Sequence, residues 1–481
     1  MAIQDNNLPE GWVETTLDQV LSQFESGSRP KGGVRGIPDG IPSIGGEHLN
    51  ENGGFRFDKI KYIPRSFYKK MSKGIVSVDD ILIVKDGATT GKVALVKDDF
   101  PFDIATVNEH VFICRPADGV ESSFLFYFLF SEEGQKRILE NFRGSVQGGI
   151  NLSFAPGTNI LLAPTPEQKR IAAKIDELLT RVNAVRERLA KIPGILKRFR
   201  QAVLTAAFTG ELTEDWRECR EIQESGEDFL RNICILKGKL KIDKFGKSDN
   251  LLSGNLPQNW TSSAFGYITN NYDGKRIPIK ADDRMKRIGE YPYYGASGII
   301  DHINDYIFDG KYLLIGEDGA NLLMRSTPIA FIATGQFWVN NHAHIIQTLG
   351  GMPLKYLEIY INSIDLQDYV TGSAQPKLTQ ANMNRIPVPI PPLSEQLEIV
   401  NRVGALFKLA DSIENHLMPI TNKANNLAQS ILAKAFRGEL VPTEAELARR
   451  EGRDYEPAAE LLERIKKDSI NRTKTPKPKA I

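Results

Sequence analysis

Apolar side chains recur at Ile171, Ile175, Leu178, Val182, Val185, Leu189, Ile192, Leu196, Phe199 and Val203, with spacings that alternate four and three throughout. That is the a/d stripe of a heptad repeat, so the segment is read as a long helix with one narrow packing seam. The same stripe returns 228 residues later at Ile399, Val403, Leu406, Ala410, Ile413, Leu417, Ile420, Ala424, Leu427 and Ile431, and the two seams are natural partners. Each helix is announced by a proline-bounded entry, Pro164-Thr165-Pro166-Glu167-Gln168 and Pro392-Leu393-Ser394-Glu395-Gln396. Thr165 and Ser394 are expected to act as N-cap-like residues, with Glu167 and Glu395 placed in the first turn, where the helix dipole favours acids. Pro193 and Pro419 interrupt the stripes; an interior proline removes a hydrogen bond, so a kink or break is expected at each.

Ahead of each stripe the period changes. Short β-branched and aromatic runs, ILIVKDG, HVFICRP, KYLLIGEDG and IAFIATG, are separated by Gly, Pro, Asn and Asp, which predicts strands joined by exposed loops. These front halves repeat as well. LPEGW at 8–12 returns as LPQNW at 256–260, Asp86-Gly87 as Asp318-Gly319, and Val107-Asn108 as Val339-Asn340, the last two at an offset of 232. GSVQ at 144–147 matches GSAQ at 372–375, and AAFTGEL at 206–212 matches KAFRGEL at 434–440. The chain is two copies of one unit. The expected architecture is α+β: mostly β domains at 1–163 and 256–391, long helices within 164–210 and 392–440, a charged linker at 211–255 and a tail at 441–481. In the tail, residues 458–467 read as a short amphipathic helix and the closing NRTKTPKPKAI at 471–481 as disordered.

Composition narrows the functional classes. The 481 residues carry 61 Lys+Arg against 60 Asp+Glu, so a polyanionic partner must be met by a local patch. Three scattered cysteines form neither a disulfide framework nor a CxxC metal site, and no apolar run approaches the ~20 residues of a spanning helix. A cytoplasmic protein with no membrane partner is expected. Ile390-Pro391-Pro392-Leu393 lacks the polar first and aromatic last residues of an amino-methyltransferase motif, residues 87–93 have the wrong glycine spacing for a phosphate loop, and there is no G-x-S-x-G elbow. His342 and His344 have no acid or thiol close in sequence to complete a metal site, so no metal and no catalytic residue is expected.

Local basic loops remain. Residues 27–35 carry Arg29, Lys31 and Arg35 with no acid, and residues 275–287 hold six basic side chains, among them Lys275, Arg276, Lys280 and Arg284. Arginine and lysine contact phosphates or the guanine edge, and glycine lets backbone come close. Tyr293 and Tyr294 add phenols suited to hydrogen-bonding bases or phosphates. Lys85, Lys92, Asn108, His110 and Gln147 in the first copy, and Asn341, His342, Gln375 and Lys377 in the second, stand at comparable stages of the two domains and complete the candidate DNA-contacting set.

The duplicated LPxxW entry, GSVQ and GSAQPKLT, PxPEQ and PPLSEQ, the paired helices, IPGILKRFRQAVL at 192–204 and QSILAKAFRGEL at 429–440 resemble the specificity subunit of Type I restriction-modification enzymes, most nearly the A subfamily, over residues 8–440. The resemblance implies that each β domain reads one half of a split double-stranded DNA target. It also implies that the two helices pack antiparallel as a spacer fixing the unread gap, a role their expected ~60 Å length suits. Two methylation subunits and the restriction subunits would assemble around the chain, bringing S-adenosylmethionine, ATP and magnesium that this chain does not bind. Because the two β domains differ in length and sequence, the half-sites should differ. A stand-alone bipartite DNA-binding regulator is the alternative.

Overall fold

The computed structural model describes residues 8–144, 148–221, 224–237, 256–372 and 375–474. The chain divides into two compact units, Met1–Leu189 with Pro419–Ile481, and Ala190–Met418. The first unit contains β1 (Val13–Thr16), β2 (Leu21–Ser26), β3 (Ile41–Ile44), β4 (Lys61–Ile63), β5 (Ile81–Val84), β6 (Val93–Leu95), β7 (Thr106–Val107), β8 (Val111–Pro116) and β9 (Asn159–Leu162). Strands β2-β8-β5-β6 form an antiparallel sheet, β4-β3-β7 a smaller one in which β3 and β7 run parallel, and β1 pairs with β9. The run Ile81-Leu82-Ile83-Val84 is apolar throughout because both faces of β5 are covered. Ile81 and Ile83 enter one core while Leu82 and Val84 enter the other, as a period of two requires.

The second unit has a related plan, with longer central strands: β10 (Thr261–Ala264), β11 (Thr269–Asn271), β12 (Ile288–Gly295), β13 (Gly298–Ile303), β14 (Phe308–Gly316), β15 (Ala330–Val339), β16 (Ala343–Thr348), β17 (Val370–Thr371), β18 (Lys377–Leu378) and β19 (Pro387–Ile390). Its main sheet has the order β11-β16-β14-β15-β12-β13. The parallel contact recurs: Ile44 lies opposite Val107 in the first unit, and Tyr294 opposite Val339 in the second.

Both long helices, Thr165–Thr209 and Leu393–Ala435, are continuous. In the first unit Ile171, Ile175 and Val182 share a core with Ala428, Ile431, Leu432 and Ala435. In the second, Val203 and Ala207 share one with Ile399 and Val403. The start of each helix therefore packs beside the end of the other, which is antiparallel pairing. Of the kink or break expected at Pro193 and Pro419, the break does not occur; both prolines are exposed and the helices run through them.

The seam is buried at some of its positions and exposed at others. Ile171, Ile175, Val182, Leu196, Val203, Ile399, Val403, Ala410, Ala424 and Ile431 are buried, and Leu178, Leu189, Ile192, Phe199, Leu406 and Leu417 partly so. Val185, Ile413, Ile420 and Leu427 are exposed, against expectation. A straight helix repeats every 3.6 residues, so a strict heptad stripe drifts ~20° per repeat around it. In the last turns of the second helix the buried face has moved to Ala428, Leu432 and Ala435.

The PxxEQ junction does more than start a helix. Thr165 does not cap; its hydroxyl donates to the Gly119 carbonyl at 2.7 Å. Glu167 is buried and accepts the Trp12 indole N–H at 2.8 Å and the Glu444 backbone N–H at 2.8 Å. Burial pushes its pKa above the usual carboxylate value, against the opposing pull of those hydrogen bonds. Glu395 repeats the arrangement, accepting from the Trp260 indole at 2.8 Å and from Thr213 and Arg217 at 2.6 Å. The LPxxW tryptophan and the PxxEQ glutamate of each copy are one buried bond.

Two segments read as linker and tail are instead partly folded core. Helices Glu214–Glu218 and Gly226–Leu236 bury Trp216, Phe229, Leu230 and Ile233 in the second unit. In the first unit Glu444–Glu451 and Ala458–Lys474 are helical, the second extending beyond the predicted 467, and Leu461, Leu462 and Ile465 are buried. Phe229-Leu230 and Ile233 recur as Leu461-Leu462 and Ile465 at the offset of 232. The Gly226 N–H bonds Asn259 O at 2.8 Å as Ala458 N–H bonds Gly11 O at 2.9 Å, so these helices are copies of one element. Their charge is the solvent face of an amphipathic helix.

One difference between the copies has a simple chemical origin. Gln168 donates to Ala163 O and accepts from Glu121 N–H at 2.8 Å. Gln396 donates to Pro391 O, but its Oε1 is buried without a partner, because Pro353 stands where Glu121 stands in the first copy and has no N–H. Gln168→Leu should therefore cost more than Gln396→Leu, by the ~1–3 kcal/mol of an extra buried unsatisfied donor. Hydrogen exchange of β9 and β19 amides in the two variants measures this; equal losses of protection would contradict it.

Candidate nucleic-acid interface

Three loops meet beyond the end of the central strand in the first unit. The turn after β5 brings Lys85, Asp86 and Gly87. The connection from β7 to β8 brings Asn108, Glu109 and His110, and the segment before the first long helix brings Gly149 and Ile150. Lys85 N–H bonds His110 O at 2.8 Å, and Ile150 N–H bonds Lys85 O at 2.8 Å. Asn108 is buried and its Oδ1 accepts the His110 N–H at 2.9 Å. The His110 ring lies 2.5 Å from Asp86 through Nδ1.

The second unit builds the same knot bond for bond. Glu317 N–H reaches His342 O at 2.8 Å, Leu378 N–H reaches Glu317 O at 2.8 Å, and Asn340 Oδ1 accepts the His342 N–H at 2.8 Å. His342 Nδ1 lies 2.8 Å from Asp318. A fourth segment follows the parallel strand in each copy, where a Cβ on Gly45 would lie 2.7 Å from Asn108 Nδ2 and one on Gly295 would lie 3.6 Å from Asn340 Nδ2. The first copy is the tighter: a Cβ on Gly45 would also come within 2.4 Å of Glu47 Oε2, whereas at Gly295 the contact with Asn340 is an ordinary one.

The knot gathers Lys85, Asn108 and His110 in one copy and Asn341, His342, Gln375 and Lys377 in the other. Arg29 joins the first through an ion pair with Glu109 at 2.9 Å, and Lys377 pairs with Glu317 at 3.1 Å. Gln147 lies outside the described residues. Lys31, Arg35, Lys275 and Lys280 are exposed, and Lys275 lies 5.2 Å from the Tyr272 ring centre.

Other predicted contacts are occupied within the protein. Tyr293 is buried and its hydroxyl accepts the Ile279 N–H at 3.0 Å, so it is a core residue. Tyr294 packs its ring against Phe337, and burial raises its pKa. Arg284 pairs with Asp301 at 3.0 Å and stacks over Tyr293. Lys92 is held by Glu51 at 2.5 Å with its side chain only 12% exposed. Asn108 serves the knot's own hydrogen bonding. Apart from Asn108, which holds His110 two residues on, each of these side chains meets a neighbour distant in sequence.

Arg276 is likewise structural. His344, Asp273 and Glu317 bring ligand-type atoms within 4.8 Å of one another, so His344 does have acidic neighbours, supplied by distant strands. The positive charge this group calls for comes from Arg276, 2.6 Å from Glu317 and 3.6 Å from Asp273, and from Lys377. Burial is the largest single influence on Asp273 and works to raise its pKa, but His344, Asn271 and the Ile345 N–H together outweigh it and the net shift is downward. Glu317 shifts down in the same way, with Arg276 as the main opposing partner.

Sequence reasoning passed over Asp86, Asp318, Glu109, Glu317 and Asn340 as site residues. The signal was present, since Asp-Gly-Ala and Val-Asn-x-His both recur at 232.

The family model of the Type I restriction modification DNA specificity domain matches residues 9–193 and again 257–419. The specificity subunit of the Escherichia coli Type I restriction enzyme EcoDI is 32% identical over 359 residues, covering 72% of this chain and 76% of that protein. The EcoKI specificity subunit of Escherichia coli K12 is 29% identical over 482 residues, covering 95% of this chain and 96% of its own length. The crystal structure of the HsdS subunit from Thermoanaerobacter tengcongensis superposes with a TM-score of 0.57 at 17% identity, covering 92% of this chain and all of that one, a likeness of fold.

The buried ion group fixes how the second unit responds to acid. Asp273 and Glu317 have folded-state pKa values below their ordinary 3.8 and 4.5. The stability they lend is complete above that range and is lost as pH falls through the folded values. The second unit's thermal midpoint should fall on acidification below about pH 4.5, and Arg276→Gln should flatten that dependence. Identical pH profiles for the two proteins would contradict the assignment.

Proposed function

This chain belongs to the Type I restriction modification DNA specificity family, and from that membership we propose that it is the subunit that gives such a complex its DNA address. Each β domain reads one half of a bipartite target. The observation that carries the reading is the duplicated knot: one loop framework, bond for bond the same, set on two β domains whose surrounding loops differ. A shared framework with different surroundings suits two half-sites of different sequence.

Exposed Lys31, Arg35, Lys275 and Lys280 supply phosphate contacts that position each domain, and side chains on the loops around the knot read base edges in the major groove. In this reading methyl transfer and cleavage belong to two modification subunits and to the restriction subunits, with S-adenosylmethionine, ATP and magnesium bound there. The long helices, each unbroken over more than 40 residues, set the number of unread base pairs.

Two measurements test this. Co-expression with the modification subunit and genome-wide mapping of methylated adenine should give one split, asymmetric motif. Replacing residues 8–163 by another recognition domain that keeps the LPxxW tryptophan should change one half only; a change in both would contradict the division. Inserting one heptad at matching points of both helices should widen the gap and leave both half-sites unchanged, whereas an unaltered gap would contradict the spacing role.

A further inference from the structure

The loops around the knot differ between the copies, yet each keeps one aspartate–histidine pair in the same place. His110 lies 2.5 Å from Asp86 and His342 lies 2.8 Å from Asp318, each through Nδ1, with the histidine side chains 42% and 46% exposed. Each aspartate is followed by a glycine in the left-handed region, Gly87 at φ +90° and Gly319 at φ +108°, with open space where a side chain would stand. The main chain of each histidine is fully engaged in holding the knot together, so the ring is the part left for a ligand.

What is common to two different half-sites is the sugar–phosphate backbone. Resting on the DNA-reading role above, we propose that His110 and His342 are sequence-independent phosphate contacts, each ring held by its aspartate. With Nδ1–H given to the carboxylate, the opposite nitrogen, Nε2, is the one left to meet a phosphate. A neutral ring would offer a phosphate only a lone pair there. A ring protonated at both nitrogens lies between two anions and donates to each, so binding takes up a proton from solvent.

The surroundings make the two contacts unequal. Around His110 stand Asp86, Glu109, Arg29 and Lys85, and Glu109 Oε1 already lies 3.4 Å from Nε2 while Arg29 holds it. The first ring is therefore flanked by carboxylates before DNA arrives. Around His342 stand Asp318 and, across the knot, Glu317 with Lys377 and Arg276; the residue in Glu109's place is the neutral Asn341. Proton uptake is thus assigned mainly to His342.

The test uses the full chain purified with its modification subunits, on duplexes carrying or lacking the target. Calorimetry in buffers of different ionisation enthalpy should show close to one proton taken up by the wild-type complex, and binding should weaken as pH rises. His342→Gln should abolish the uptake and lower affinity roughly tenfold to a hundredfold, equally on both duplexes, as loss of a charge-assisted contact does. It should also reduce the slope of log K against log salt by about one. Asp318→Asn, which leaves ring and main chain in place, should also abolish the uptake and guards against a folding defect in the first variant. Loss confined to the target duplex, or an unchanged slope with unchanged proton uptake, would overturn the inference. A wild-type complex that fails to prefer the target duplex would instead overturn the DNA-reading role itself.

Discussion

A tryptophan N–H aimed at a buried carboxylate is the bond on which each unit depends. A carboxylate taken out of water is costly unless its oxygens are satisfied, and Glu167 and Glu395 are satisfied by groups from separate stretches of chain: the LPxxW entry and the segment that follows the partner helix. Trp12 and Glu444 meet at Glu167; Trp260, Thr213 and Arg217 meet at Glu395. The glycines that end the helices mark the same closure. Gly210, at φ +88°, lies against Pro257, and Gly438, at φ +74°, lies against Pro9, so a larger residue at either would both strain the turn and collide. The end of each helix is thereby fastened beside the start of the other.

On that fixed base the β domains separate what is shared from what differs. The parallel strand pair, the Asp-Gly-Ala turn and the Val-Asn-x-His loop recur with matching hydrogen bonds, while the segments around them diverge. The first copy follows its parallel strand with Gly46-Glu47-His48, where Glu47 pairs with Lys61. The second forms a hairpin with Ile299 and Ile300 exposed beside its tip. A framework kept rigid by main-chain bonds can carry exchangeable side chains without loss of fold, which is the property a family of recognition domains with different targets needs.

The duplication, the strand-rich front halves and the helical back halves were legible because they rest on periodicity, which survives divergence. The antiparallel sense of the helices was not, since a heptad stripe has no direction; it came from the family resemblance. The helix at 458–467 was legible from its amphipathic pattern, whereas the helices Glu214–Glu218, Gly226–Leu236 and Glu444–Glu451 were not, because their charge resembles that of a linker, although Phe229-Leu230 and Ile233 already announced Leu461-Leu462 and Ile465. Tyr293, Arg276 and Arg284 look like surface chemistry in a sequence window, but Tyr293 is core and the two arginines are partly buried, because the fold brings Ile279, Glu317 and Asp301 to them from elsewhere in the chain. The aspartates that hold the two histidines went unnoticed for the converse reason: their significance lies in a contact across 24 residues, and only alignment of the copies exposes it.

The most direct test of a duplicated loop framework as the DNA-reading surface is photo-crosslinking. The complex would be bound to a target duplex carrying iodouracil at successive positions, with the attached peptides identified by mass spectrometry. The account predicts two families of crosslinks, each confined to one half-site, falling in residues 27–36, 85–92 and 108–110 of the first unit and 275–287, 318–320, 340–342 and 375–377 of the second. Crosslinks concentrated at the Trp12–Glu167 and Trp260–Glu395 ends of the units, with the loops unlabelled, would contradict it.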